Sequence, residues 1–225
     1  MKQLLLTLGL FWVCCTSPAL ADDPTPPPKA APGGAAPAGA SGAASPAAPA
    51  TAPAAKPTGM ARVQVVTNMG NFVIELNSER APLTVQHFLA YVDQGFYSNT
   101  VVHRVVPDFV IQGGGMDTDY KIKPASLRVV NESGNGLTNA RGTVGAARGS
   151  DPHSSDAQFY VNLFDNANLD PNPNRWGYAV FGKVIQGMDV VDRIGNVATG
   201  PHGSIKSDVP LKPVVIERIE RINGP

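Results

Sequence analysis

Arg104 and Gln112 are the two side chains whose type and spacing point to chemistry. They lie in Val102-His103-Arg104-Val105-Val106-Pro107-Asp108-Phe109-Val110-Ile111-Gln112-Gly113-Gly114, where two β-prone runs flank a Pro107-Asp108 turn signal and predict a hairpin. The two-residue period of a strand puts Val102 and Arg104 on one side of the first run, and Val110 and Gln112 on one side of the second. Phe109, at the edge of the turn, leans to either side. Arg104 keeps its proton at any ordinary pH and offers a planar fork of N–H donors, whereas Gln112 both donates and accepts. A permanent donor and an adaptable amide among apolar neighbours suit one task. They can hold a neutral, partly apolar chain while one of its bonds is electronically perturbed.

Apart from Val102 in place of a Phe, this run matches the pattern Phe-His-Arg-x-x-Pro-x-Phe-x-x-Gln-Gly-Gly and so resembles the cyclophilin family of peptidyl-prolyl cis-trans isomerases. Further pieces similar to that family follow in order: Ala81-Pro82-Leu83-Thr84-Val85, Arg141-Gly142-Thr143, Ala157-Gln158-Phe159-Tyr160-Val161-Asn162 and Val180-Phe181-Gly182-Lys183-Val184. Several ordered motifs at family-like spacing, over roughly residues 61 to 223, are a far more specific signal than any single one.

The resemblance implies an eight-stranded antiparallel β-barrel capped by two α-helices, packed with side chains inside and binding substrate on an outer face. It implies isomerisation of X–Pro bonds without a cofactor, with Arg104 and Gln112 catalytic. Phe109, Val110, Tyr160 and Leu169 would form an apolar cup for the proline ring. Gln112 and backbone groups near Ala147 and Arg148 would fix the peptide carbonyl, with Gln158 close by and Tyr178 at the substrate. The chain departs from the best-known eukaryotic members: Val110 stands for a common Met, Tyr160 for Phe, Asn168 for Trp and Tyr178 for His. The missing Trp is the residue family members use to contact cyclosporin. The pattern as a whole resembles bacterial periplasmic cyclophilins.

The implied reaction suits these side chains. Resonance gives the amide C–N bond a rotational barrier of about 18–20 kcal/mol, so X–Pro bonds relax in about tens to hundreds of seconds. In the twisted state resonance is lost and the prolyl nitrogen regains a lone pair. A donor aimed at that lone pair binds the transition state and hardly touches the planar ground state, which is the differential binding that catalysis requires. No proton moves, so His103 is expected to be a structural hydrogen-bonder.

The elements that must position these residues begin after an address. Lys2, the apolar run Leu4 to Val13 and the small-x-small Ala19-Leu20-Ala21 predict a signal peptide over residues 1–21, cleaved after Ala21, and hence export to a periplasm. The apolar run falls short of the roughly 20 residues a membrane-crossing helix needs. Cys14 and Cys15 invite a lipoprotein reading, but Val13 and Cys14 before them are not the small residue lipid attachment requires. Both cysteines of the chain lie in this segment, so the mature protein would depend on its core rather than on disulfides. Residues 22–58, rich in Pro, Ala and Gly as in Pro26-Pro27-Pro28 and Gly33-Gly34-Ala35-Ala36, bury too little surface to offset ordering entropy. They predict a disordered spacer; the rival roles are that its own Ala-Pro bonds, such as Ala31-Pro32 and Ala52-Pro53, visit the active site, and attachment to the cell envelope.

The isomerase domain is expected over 59–225. Arg62 to Thr67 and Phe72 to Leu76 read as a two-strand hairpin around Asn68-Met69-Gly70-Asn71. From Pro82 the period changes, and Val85, Phe88, Leu89 and Val92 make one helical stripe ending near Gly95. His87 lies off that stripe as a surface or capping hydrogen-bonder. Strands are predicted over 142–147, 157–163 and 179–185, a short helix over Met188 to Ile194, and a closing strand over Pro213 to Ile219. Many short strands with two helices predict a mainly β protein built on a closed antiparallel barrel.

Basic and acidic side chains balance at 18 each, with no basic run for nucleic acid and no basic amphipathic helix for membranes. His87, His103, His153 and His202 lack an i, i+4 pair or a Cys partner, so no metal is expected. The partners expected are proline-containing polypeptides, bound by a monomer. The rival from another class is a proline-peptide binding module or holdase chaperone that keeps the cup and contributes little catalysis.

Overall fold

Alternation of inward and outward side chains builds the first hairpin in the computed structural model, which describes residues 60–222. The predicted signal peptide and spacer lie outside the described residues. Strand β1 (Ala61–Thr67) pairs with β2 (Gly70–Leu76); Val63, Val65, Phe72, Ile74 and Leu76 enter the core. On the outer face the cross-strand partners Arg62 and Glu75 form an ion pair at 3.0 Å.

Helix α1 (Pro82–Asp93) buries the predicted stripe of Val85, Phe88, Leu89 and Val92. Its N-cap residue, Ala81, has no side chain to cap with. Glu132, from a distant loop, supplies the missing acceptor: the Leu83 and Thr84 amides donate to its carboxylate at 3.2 and 2.7 Å. The negative charge also suits the positive end of the helix dipole.

The remaining strands are β3 (Thr100–Val106), β4 (Val110–Asp117), β5 (Thr143–Ala146), β6 (Phe159–Asn162), β7 (Val180–Gln186), β8 (Thr199–His202), β9 (Ile205–Pro210) and β10 (Val215–Ile222). Helix α2 (Met188–Gly195) follows β7 and buries Val190, Val191 and Ile194. Eight strands close into an antiparallel barrel in the order β1-β10-β3-β4-β6-β5-β7-β2, which is the expected architecture. The ends differ from the predicted ones by a few residues. Phe88 carries α1 into an aromatic cluster with Tyr97, Phe159 and Phe181, at centroid distances of 5.2, 5.6 and 5.2 Å. Among the described residues, no helix is long and apolar enough to cross a membrane.

Two features depart from the sequence reading. The first is a separate two-stranded ribbon, β8–β9, that packs beside β3 and was not predicted. The second is the phase of β3. Val102 pairs with Gly113 but Arg104 pairs with Gln112, so His103 is an extra residue on the β3 side. This bulge re-aims the strand. Val102 joins the barrel core while Arg104 faces outward, so the two do not share a side as strict alternation predicts. Gly113 permits the close approach, because a Cβ there would lie 2.9 Å from the Val101 carbonyl oxygen.

The bulge buries His103, whose Nδ1 has no hydrogen-bond partner among the described residues. Desolvation first, and then the Arg104 cation, hold its imidazole at a pKa of about 4. The unfolded chain, with an ordinary value near ~6.5, therefore binds the proton first as pH falls. Stability is expected to decline between pH 6.5 and 4 by up to about 3 kcal/mol and then level off at this group. Urea titrations across that range check it: His103→Asn should flatten this part of the profile, and an equally steep decline in the variant would show that other groups are responsible.

Candidate active site

The sheet brings one residue from each of four strands into a row. Arg104 on β3 is the register partner of Gln112 on β4, Gln112 of Tyr160 on β6, and Tyr160 of Gly145 on β5. Because partners in register lie on the same face of a sheet, this row runs across the outside of the barrel. Beside it, Val110, Ala147 and Tyr160 form a buried apolar cluster separate from the barrel interior, with Phe109, Leu169 and Tyr178 packed against it. Phe109 thus leans outward. All four residues expected to form the cup meet in this one place, although they come from positions 109 to 169.

Arg104 stands at the lip of this cluster. Its side chain is 40% exposed, and its guanidinium carbon lies 5.9 Å from the centre of the Phe109 ring. It donates no hydrogen bond among the described residues. Its Nε faces Asp208 Oδ2 at 3.8 Å, an ion-pair distance longer than a hydrogen bond. Gln112 Nε2 donates to Gln158 Oε1 at 3.2 Å.

Other members are more committed. The Ala147 amide donates to the Gln158 carbonyl at 3.0 Å, so this N–H is not free for a substrate carbonyl. Arg148 donates to the carbonyls of Gly149, Trp176 and Gly177 and lies 4.5 Å over the Tyr178 ring. Its side chain ties the 170–177 loop to the cup. Tyr178 meets Tyr160 edge-on at 6.1 Å.

A buried polar network beneath the cup escaped the sequence reading. The Tyr160 hydroxyl donates to Asn139 Oδ1 at 2.6 Å, and Asn139 donates from its amide and side chain to Asp170 at 2.7 and 2.8 Å. Asn166 Nδ2 donates to the Phe109 carbonyl and to Asn162 Oδ1, at 2.9 and 2.8 Å. Asn139, Asn162 and Asn166 are buried, so each bond avoids the cost of an unpaired polar group. Burial raises the Tyr160 pKa well above the ordinary tyrosine range, so its hydroxyl is a fixed donor. Asn162 ends a quoted motif, but nothing in the order of residues said that three asparagines would converge.

The remaining histidines do structural work. His87 Nε2 lies 3.2 Å from the Leu127 carbonyl, as expected of a surface hydrogen-bonder. His153 Nδ1 accepts from the Asn131 amide at 3.1 Å, and His202 packs against Tyr120. Among the described residues, no three His, Cys, Asp or Glu side chains gather as a metal site would need.

The family model described as cyclophilin type peptidyl-prolyl cis-trans isomerase/CLD matches residues 62–221. Peptidyl-prolyl cis-trans isomerase cyp18 of Streptomyces antibioticus is 50% identical over 161 residues, covering 70% of this chain and 96% of that protein. Peptidyl-prolyl cis-trans isomerase B of Escherichia coli is 47% identical over 156 residues, covering 68% and 94%. Among solved structures, a cyclophilin type peptidyl-prolyl cis-trans isomerase of Cryptosporidium parvum in the presence of the dipeptide Ala-Pro aligns with a TM-score of 0.58 and 25% identity, over 72% of this chain and 99% of that one.

Proposed function

The chain belongs to the cyclophilin-type peptidyl-prolyl cis-trans isomerases, and on that premise we propose how its own residues perform the reaction and where. The observation that carries the proposal is the Arg104 guanidinium, which donates no hydrogen bond among the described residues, 5.9 Å from the ring centre of Phe109 at the lip of the cup. A proline ring enters the notch of Phe109, Val110, Ala147, Tyr160, Leu169 and Tyr178 and leaves water there. The preceding amide then lies across the row of Arg104 and Gln112. Gln112, backed by Gln158, orients the peptide. Arg104 donates to the prolyl nitrogen only as the bond twists and its lone pair appears. Because the notch is apolar, that charge–dipole contact is stronger than it would be in water. Neither proton transfer nor a cofactor enters the scheme.

The substrates are proline-containing polypeptides, a class supported by the Ala-Pro dipeptide with the C. parvum relative. The protein acts as an exported, periplasmic monomer on folding or flexible chains. Support for export comes from Lys2, the following apolar run and Ala19-Leu20-Ala21, together with the bacterial origin of the relatives above. Fractionation checks it: removing residues 2–21 should keep the protein in the cytoplasm, and an unchanged distribution would overturn export. The mechanism is tested by exchange of a short Ala-Pro peptide with wild type and Arg104→Ala. Binding without acceleration by the wild type would instead identify a holdase.

A further inference from the structure

A catalytic guanidinium needs an orienting partner, and the obvious one is occupied. Gln112, the register partner of Arg104, is turned to Gln158, and Phe109 offers only a ring face. The unpredicted ribbon supplies a third candidate. Asp208 of β9 places Oδ2 3.8 Å from Arg104 Nε, and each is the other's sole ionic partner among the described residues. Asp208 also holds a φ of +67°, left-handed for a residue inside a strand. Asp tolerates this region better than most side chains, but it is still a strained choice. The ribbon that carries it is anchored on both sides: Val209 is buried next to it, and His202 packs on Tyr120 with ring centres 4.1 Å apart. An exposed ion pair of this length adds little to folding, so a strained carboxylate aimed at this one cation has a better explanation in function.

We propose that Asp208 is a positioning residue for the isomerase reaction: its carboxylate draws the Nε edge of Arg104 and turns the Nη edge towards the prolyl nitrogen. The proposal rests on the catalytic reading of Arg104. By attracting one edge of the planar fork, Asp208 limits rotation about the last bonds of a long side chain. Fewer orientations are then lost when the transition state forms.

Asp208→Asn keeps the size and the tolerance for left-handed backbone but removes the charge. The expected result is an exchange rate about tenfold lower, within the hundredfold that a 1 Å misplacement of a catalytic group can bring. Peptide affinity and thermal midpoint should be unchanged. Nitrogen relaxation at the Arg104 Nε–H should show greater mobility in the variant, a readout that a purely structural role would not move. Asp208→Gly, which relieves the backbone, should show the same loss and guards against a folding defect in the first variant. Wild-type exchange, or unchanged Nε–H order in both variants, overturns the positioning role. If Arg104→Ala abolishes exchange while both Asp208 variants are silent, that role alone fails. If Arg104→Ala is itself silent, the catalytic reading fails first.

Discussion

Arg104→Ala is expected to lower catalysed exchange of an Ala-Pro peptide by about a thousandfold, the factor that corresponds to roughly 4 kcal/mol of lost transition-state stabilisation. The loss should fall almost wholly on the rate. In the planar ground state the prolyl nitrogen has no lone pair to offer, so Arg104 contributes little to binding; the apolar cup of Val110, Ala147 and Tyr160 remains. Arg104→Lys keeps a charge but loses the planar fork, and should recover only part of the rate. The wild-type rate should be nearly flat from pH 6 to 8. The step moves no proton, and the neighbouring His103, held near 4, stays neutral throughout. NMR exchange measurements read both the rate and the affinity. Unchanged exchange in Arg104→Ala would remove the proposed mechanism.

Gly145→Ala is the second large effect, through packing rather than charge. Gly145 faces Tyr160 in register, and a Cβ built on it would overlap the Tyr160 Cζ and hydroxyl oxygen. The ring has little freedom to yield, because it is buried and its hydroxyl is bonded to Asn139 at 2.6 Å. Either β5 moves away from β6 or the tyrosine swings out and strands its partner. Overpacking costs about 1–3 kcal/mol, and a broken buried hydrogen bond adds about 1–3 kcal/mol. Urea unfolding should show a total near the middle of that combined range, with peptide binding weakened because the floor of the cup has shifted. The cause is isolated by a double-mutant cycle: in a Tyr160→Leu background the same glycine substitution should cost at least 1 kcal/mol less. Equal costs in both backgrounds would locate the damage elsewhere.

Local patterns were legible where a single period governs a segment. The first hairpin and the α1 stripe follow from alternation and from i, i+3, i+4 spacing, because burial on one face is written into consecutive residues. The cup came from motif resemblance, and the structure does gather those residues. The β8–β9 ribbon was missed because Thr199 to Pro210 carries Gly, Pro and charge where a strand usually shows alternating apolar residues. Glu132 was unreadable as a helix cap because its partners are 48 and 49 residues away.

Residue order thus settles which chemical groups exist: a guanidinium that never discharges, an amide nearby, and enough large apolar side chains for one core and one surface notch. It also settles the short-range periods that turn segments into strands and helices. It does not settle which way Arg104 points. One extra residue at His103 reverses the facing of every side chain after it, and that bulge forms only when β3 is paired with β4. The row from Arg104 to Gly145, the asparagines under Tyr160 and the approach of Asp208 likewise depend on contacts between strands far apart in sequence. Such contacts are properties of the closed barrel, because register is chosen by the pairing of whole strands and not by any one segment alone.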